Sequence, residues 1–249
     1  MSTSTPSAAP ARDRRPRQLG ALLRATHPRQ AIAIAIVVGL LVGLTRDDPA
    51  REIGLAAAAV LLTQLINGLL NDLLDVDLDK ASGAEDKPIA TGALVAGNAS
   101  FAVAVLLLLA IPVSLQNGTT SGVFLLATVP VAYVHNRWLH RTALSFLGWA
   151  VTFSLLTYFI ALGGVGPDAS GSDPFLWFTL LCAALGVCVH FLTSLPDLVR
   201  DNASRVRHLP LRVALHTGAT KLLIFSGVMT LLVVVTLVAQ ILSAGSIRQ

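Results

Sequence analysis

Six aspartates in two short runs carry the clearest chemistry in this sequence. The first run is Asn71-Asp72-Leu73-Leu74-Asp75-Val76-Asp77-Leu78-Asp79, and the second is Asp197-Leu198-Val199-Arg200-Asp201. The 249-residue chain holds only 14 acidic residues and is 54% hydrophobic. A carboxylate near the apolar interior of a membrane is costly unless something compensates its charge. Carboxylates gathered in this way point to bound cations, and bound cations point to an anionic, lipid-soluble substrate.

Helical phase sorts the candidates. At about 100° per residue, Asn71, Asp72, Asp75 and Asp79 fall within an arc of roughly 100° on one helix face, and Asp77 lies on the other side. Asp197 and Asp201 are four residues apart and share a face. Two such faces meeting across a cavity present five carboxylates and one amide. Hard oxygen ligands of this kind suit Mg²⁺, which binds through one or two carboxylates together with substrate phosphate oxygens. No cluster of Cys and His of the kind zinc prefers accompanies them. Metals held there would bridge and neutralise a diphosphate and stabilise the charge that develops as it leaves. Lys87, Arg137 and Arg141 are the cations best placed to complete the cradle, although basic residues on that side also serve topology alone.

The elements that position these residues are membrane spans. Only 13% of residues are charged and the mean hydropathy is +0.71, against about 25% charged in soluble domains. Apolar segments occur near 30–45, 53–71, 98–115, 120–135, 143–163, 175–195 and 218–243. Lipid offers no partner to exposed backbone, so the segments must be helices. Six arginines precede the first span, and Lys80, Lys87, Arg137, Arg141, Arg200, Arg205, Arg207 and Arg212 fall in the alternate connections. The opposite connections hold Arg46, Arg51 and the terminal Arg248. This asymmetry places the N-terminus and both Asp runs in the cytoplasm. A transporter would carry Asp at several mid-span depths, whereas these all flank one face. The net charge of +4 is not gathered into a basic patch with interleaved aromatics, which argues against nucleic acid as a partner. Cys182 and Cys188 read as buried free thiols. Residues 1–25 read as a disordered basic cytoplasmic tail, with a short interfacial stretch after residue 18. Residues 26–245 form the membrane domain.

Asn-Asp-x-x-Asp-x-x-x-Asp after the second span and Asp-x-x-x-Asp after the sixth resemble the UbiA superfamily of intramembrane prenyltransferases. Asp86-Lys87-Pro88-Ile89-Ala90-Thr91-Gly92 resembles the family's basic-Pro-Leu-x-x-Gly segment. The stretch from Tyr133 to Arg141 resembles its Tyr-to-Lys-Arg stretch, and Leu209-Pro210-Leu211-Arg212 its Leu-Pro segment. The correspondence runs from about residue 25 to 225. It implies an all-α polytopic transmembrane helix bundle around a central cavity, with about seven spans visible where the family usually has nine. It also implies Mg²⁺-dependent ionisation of an isoprenyl diphosphate and capture of the allylic cation by a small, often aromatic acceptor.

By the same resemblance Asn71, Asp72, Asp75, Asp79, Asp197 and Asp201 would hold the metal, with Asp72, Asp75, Asp197 and Asp201 as the catalytic carboxylates. Lys87 and Arg141 would contact phosphate, and Tyr133 and Arg137 belong to the same substrate-side set. Two departures stand out. One clear span follows Asp201, unless 211–243 breaks around Gly218 or Gly227, and Arg205 stands where a Gly often follows the second motif.

Several further residues have both a plain and a functional reading. Asn67, one turn before Asn71, either orients it or bonds between helices. His190 faces either the cavity, as a base or acceptor-orienting group, or a neighbouring helix. Tyr158 and Phe159 offer π faces to a carbocation or simply pack. Trp138 and Trp149 fit an interfacial belt. Thr152, Ser154 and Thr157 line a polar pocket or bond between helices. Two other reactions fit the scaffold: cyclisation of a prenyl diphosphate alone, and phosphoribosyl transfer to a polyprenyl phosphate.

Overall fold

A computed structural model describes residues 14–45, 49–169 and 171–246. Every regular element among them is helical. In chain order these are α1 (Arg14–Ala25), α2 (Pro28–Thr45), α3 (Pro49–Leu74), α4 (Val76–Ser82), α5 (Ala96–Leu115), α6 (Thr119–Arg137), α7 (Ser145–Leu162), α8 (Leu176–Ser194), α9 (Leu198–Ala203), α10 (Leu209–Thr217) and α11 (Ala219–Ser246). Among the described residues, six helices are long and apolar enough to cross a membrane. All seven segments expected from hydropathy coincide with helices, but α6 falls short of that mark: its last turn is His135, Asn136 and Arg137. The chain is an all-helical, multi-pass membrane protein.

The helices pack through small residues, as they must where lipid removes the hydrophobic incentive to associate. A β-carbon on Gly122 of α6 would lie 2.5 Å from the Ser114 carbonyl oxygen of α5, and one on Gly186 of α8 would lie 2.6 Å from the Trp149 oxygen of α7. Deeper in, α2, α3, α6 and α7 meet around the fully buried Phe159, packed with Val38, Val60 and Leu125. Phe159 is therefore core, and Tyr158 stacks on Phe124 at 4.7 Å. Outward-facing positions such as Leu108, Phe101 and Leu231 are exposed apolar residues, the surface a hydrocarbon solvent wants.

Three features of the described structure bear on those expectations, and the first departs from them. Residues 14–25, assigned to the disordered tail, form α1, while residues 1–13 lie outside the described residues. Helix α1 is ordered because Ala21 and Ala25 bury against Leu69 and Ala99. Its Gln18 also donates to the Ala93 oxygen at 2.9 Å and accepts from Val95 N–H at 3.2 Å. Second, the 211–243 region breaks once, at Gly218 (φ 89°), and α11 runs unbroken through Gly227. Third, Arg205, in the position where Gly is common, has φ 58°. That left-handed backbone closes α9, with Val206 N–H bonded to the Asp201 oxygen at 2.9 Å. It is the conformation glycine adopts without steric cost.

Candidate functional site

The first Asp run occupies the end of a helix and the start of another. Helix α3 stops at Leu74, and Asp75 sits at the joint (φ −98°, ψ 5°) before α4. The hydrogen-bond ladder survives the joint: Asp75 N–H bonds the Asn71 oxygen at 3.0 Å and Asp79 N–H the Asp75 oxygen at 2.8 Å. Helical phase therefore carries through, and Asp72, Asp75 and Asp79 are buried while Asp77 is exposed. The second run follows a comparable joint. Pro196 cannot continue the α8 ladder, the chain turns through a 3-10 segment at Leu195–Asp197, and α9 carries Asp201.

Two carboxylates of the first run, Asp72 and Asp75, are met by basic groups. Asp72 Oδ1 accepts from Lys87 Nζ at 2.8 Å and lies 3.0 Å from His27 Nε2. Lys87 also donates to Asn71 Oδ1 at 2.9 Å, and Asn71 Nδ2 donates to Asp75 Oδ2 at 3.1 Å. Asp75 Oδ1 has Arg141 Nη2 at 3.2 Å and His140 Nε2 at 3.3 Å. Burial raises the Asp75 carboxyl, but bonding and positive charge from His140 and Arg141 outweigh it and hold it below its ordinary value. Asp79 lacks such a partner. Burial, against the opposing charge of Lys87 and with help from Asp75 and Asp72, pushes it up to about 6.

The second run is paired too. Asp197 Oδ1 accepts from Arg200 Nη2 at 2.8 Å, and Asp201 Oδ2 from His208 Nε2 at 2.9 Å. His208 Nδ1 accepts from Leu211 N–H at 3.1 Å, capping α10. That bond leaves its hydrogen on Nε2, pointed at Asp201.

The two runs line one cleft of about 220 Å³. Asn71, Asp75, Asp79, Lys87, Asp197 and Asp201 line it together with His135, His140, Trp149, His190 and His208. Asp72 does not line it; the carboxylate is fully buried behind Lys87. Arg141 is outside the lining and reaches the site through Asp75 and through His140, to whose Nε2 its Nε donates at 3.0 Å. Asn67, Tyr133 and Arg137 are outside the lining. Tyr133 packs edge-on to Trp138 at 6.0 Å, and Arg137 lies over the Trp138 ring at 5.8 Å. Trp149, expected in an interfacial belt, is instead a cleft residue stacked on His190 at 5.7 Å between centroids. His190 lines the cleft and is also an interhelical tie, with Nε2 2.9 Å from Ser145 Oγ.

Among the described residues no three His, Cys, Asp or Glu side chains are grouped so as to hold a metal ion by themselves. The donors nevertheless suit Mg²⁺, which needs only one or two carboxylates when phosphate supplies the remaining oxygens. Asp72 Oδ2 and Asp79 Oδ2 are buried without any hydrogen-bond partner. Such orphaned anionic oxygens are expensive, and a hard cation would satisfy them.

Residues 32–247 match the model of the UbiA prenyltransferase family. The chain belongs to that family. Its fold is shared by a UbiA homologue from Archaeoglobus fulgidus solved with GPP and Mg²⁺, at TM-score 0.67 and 15% identity over 89% of this chain and 77% of that one. The apo UbiA homologue from Aeropyrum pernix K1 matches at TM-score 0.64 and 16% identity, covering 90% and 80%. A digeranylgeranylglyceryl phosphate synthase matches at TM-score 0.57 and 16% identity, covering 88% and 79%. No curated protein matches the sequence. Membership in the family makes the protein a transferase at the level the family shares.

Sequence reading missed His27, His135, His140, His208 and Arg200 as neighbours of the carboxylates. His140 and Arg200 had a local signal, lying beside Arg141 and inside the second run. His208 precedes Leu209-Pro210, where a cap belongs. His135 lies within the Tyr133-to-Arg141 stretch, and nothing local marks His27.

Proposed function

We propose that this chain is a Mg²⁺-dependent prenyltransferase that moves an isoprenyl group from an isoprenyl diphosphate to a small acceptor. The observation that carries this reading is the meeting of both Asp runs and Lys87 on one cleft, with buried carboxylate oxygens left unpaired on the first run. The relatives solved with GPP or DMAPP together with Mg²⁺ support it. Asn71, Asp72, Asp75 and Asp79 would hold metal on one side, and Asp197 and Asp201 on the other. Bound Mg²⁺ supplies charge neutralisation of the diphosphate and lowers the barrier to its departure.

The chain's own groups do the rest. Lys87, held by Asn71 and Asp72, presents a cation to phosphate oxygens. Arg141 and His140 keep Asp75 ionised and oriented. In the transfer, the C1–O bond of the donor breaks and its electron pair leaves with diphosphate. An electron pair of the acceptor forms the new bond to C1, and the acceptor gives up one proton. We place the Asp runs and the N-terminus in the cytoplasm, following the distribution of basic residues, and read α6 as a seventh span closing the bundle around the cleft.

Membranes containing the protein should convert a C10 to C20 prenyl diphosphate in the presence of Mg²⁺ and an acceptor. Asp72→Ala and Asp197→Ala should abolish turnover, and Asp77→Ala should leave it within about threefold of wild type, as is usual for an exposed surface change. Equal losses at all three positions would contradict the assignment. Formation of a hydrocarbon or alcohol from the diphosphate alone would point instead to cyclisation.

A further inference from the structure

Helix α1 presents three sides to three different surroundings. Gln18, Ala21, Leu22 and Ala25, spaced three and four residues apart, make the side that docks on the bundle. Ala21 and Ala25 are buried against Leu69 near the end of α3 and Ala99 at the start of α5. Gln18 accepts from Val95 N–H at 3.2 Å and from Asn98 Nδ2 at 3.3 Å. A second side carries Leu19 and Leu23, exposed by 60% and 58%. The third carries the exposed Arg24, and Arg29 is exposed in the first turn of α2. No side chain among the described residues pairs with either arginine.

The elbow after α1 keeps these sides where they are. The Thr26 carbonyl oxygen lies so close to Gly68 of α3 that an added β-carbon would meet it at 2.5 Å, and His27 Nε2 lies 3.0 Å from Asp72 Oδ1. His27 turns the chain through φ 49°, a left-handed backbone that a β-carbon disfavours. Pinned at the elbow and at Gln18, α1 cannot roll its leucines inward. With 12 residues it is about 18 Å long, too short to cross about 30 Å of hydrocarbon. Its contacts with the ends of α3 and α5 set it at headgroup depth, at the end of the bundle that bears the Asp runs.

Residues 14–45 contain Arg14, Arg15, Arg17, Arg24 and Arg29 and no acidic residue. We propose that α1 is a docking helix for anionic phospholipid, with Leu19 and Leu23 among the acyl chains and Arg24 and Arg29 on lipid phosphates. Charge decides between the possible occupants. Two leucines alone would suit any apolar surface, a second copy of this chain included. A second copy would bring the same uncompensated arginines to a symmetric contact, whereas an anionic leaflet supplies the opposite charge. The surface lies outside the cleft and does not depend on what the cleft binds.

The test uses the full chain with Cys182→Ser and Cys188→Ser and a single fluorophore on Leu19→Cys, in nanodiscs of phosphatidylcholine. Phosphatidylglycerol or phosphatidylcholine carrying a nitroxide on its acyl chain is added in small amounts as the quencher. The phosphatidylglycerol should quench the Leu19→Cys label at a content about fivefold lower than the phosphatidylcholine, or less, which corresponds to about 1 kcal/mol for one arginine near a charged surface. Arg24→Gln with Arg29→Gln should remove the preference. Arg24→Lys with Arg29→Lys should keep it, which a merely structural role would not do. A label on Leu108→Cys, exposed on α5, should show no preference. Equal quenching by the two lipids at Leu19→Cys overturns the proposal, as does a preference that survives loss of both arginines or appears equally at Leu108→Cys. A label that neither lipid quenches puts α1 off the bilayer, and emission that shifts with protein concentration makes the occupant a second copy. Either result overturns it as well.

Discussion

Asp75 and Asp79 are one helical turn apart, yet their surroundings drive their carboxyls in opposite directions. Asp75 is held low by His140 and Arg141 despite its burial, whereas burial lifts Asp79 to about 6. A group whose folded pKa is raised favours the folded state when protonated. Relative to a neutral residue, Asp79 therefore costs nothing below pH 3.8, costs progressively more between 3.8 and about 6, and carries its full cost above that. Asp79→Asn should accordingly raise the Tm of the metal-free protein at pH 8, and the gain should vanish by pH 4. A gain of equal size at both pH values would show that charge is not the cause. Saturating Mg²⁺ should narrow the pH 8 difference, since the carboxylate then has its counter-ion. The alternation of buried and exposed aspartates was legible in the sequence, because it needs only the helical period. The partners were not: His27 lies 45 residues from Asp72, and Arg141 lies 66 from Asp75. No periodicity reports contacts of that span.

Helix joints decide where those distant partners arrive. The α1–α2 elbow docks on α3 at Gly68, where an added β-carbon would lie 2.5 Å from the Thr26 carbonyl oxygen. That approach is what delivers His27, the next residue, to Asp72. Gly68→Ala must push the elbow away at backbone level and should destabilise the protein by about 1–3 kcal/mol, the usual cost of overpacking. It should also weaken Mg²⁺-dependent binding of a prenyl diphosphate more than Gly54→Ala, where a β-carbon meets nothing within 4 Å. Similar effects on binding at both glycines would separate the elbow from the site. At the far end of the second run, Arg205 holds a left-handed backbone that disfavours a β-carbon by about 1–2 kcal/mol. Arg205→Gly should raise Tm modestly without changing activity. The sequence showed that position as an oddity; the reason needed the turn that closes α9.

At the scale of the whole molecule, orientation follows from charge and can be tested without any substrate. The existence and limits of the spanning helices were readable because an apolar stretch in lipid has no alternative to helix. The exception, α6, combines Pro130 with a polar last turn that serves the cleft. If α6 crosses, as proposed, it gives up hydropathy at the end that lines the cleft. The clefted face carries the Asp runs together with Lys80, Lys87, Arg200 and Arg205, whereas the connection between α7 and α8 holds Asp168 and Asp173 and no Lys or Arg. Since positive residues are retained on the cytoplasmic side, this distribution is the basis for proposing that both runs lie inside. In a chain with Cys182 and Cys188 replaced by serine, a cysteine at the exposed Val199 should react with a membrane-impermeant maleimide only in inside-out vesicles. A cysteine at Asp168 should react only from the outer face of intact cells. Because six spans separate the α1 end from α11 if α6 crosses and five if it does not, α6 decides the parity of every later connection. Val199 and Lys80 lie on opposite sides of α6 in sequence, so a cysteine at Lys80 completes the argument. Labelling of Lys80→Cys and Val199→Cys from the same side, and of Asp168→Cys from the other, requires α6 to cross. Labelling of Lys80→Cys and Val199→Cys from opposite sides would mean that α6 does not cross, and the two Asp runs could not then share a cleft.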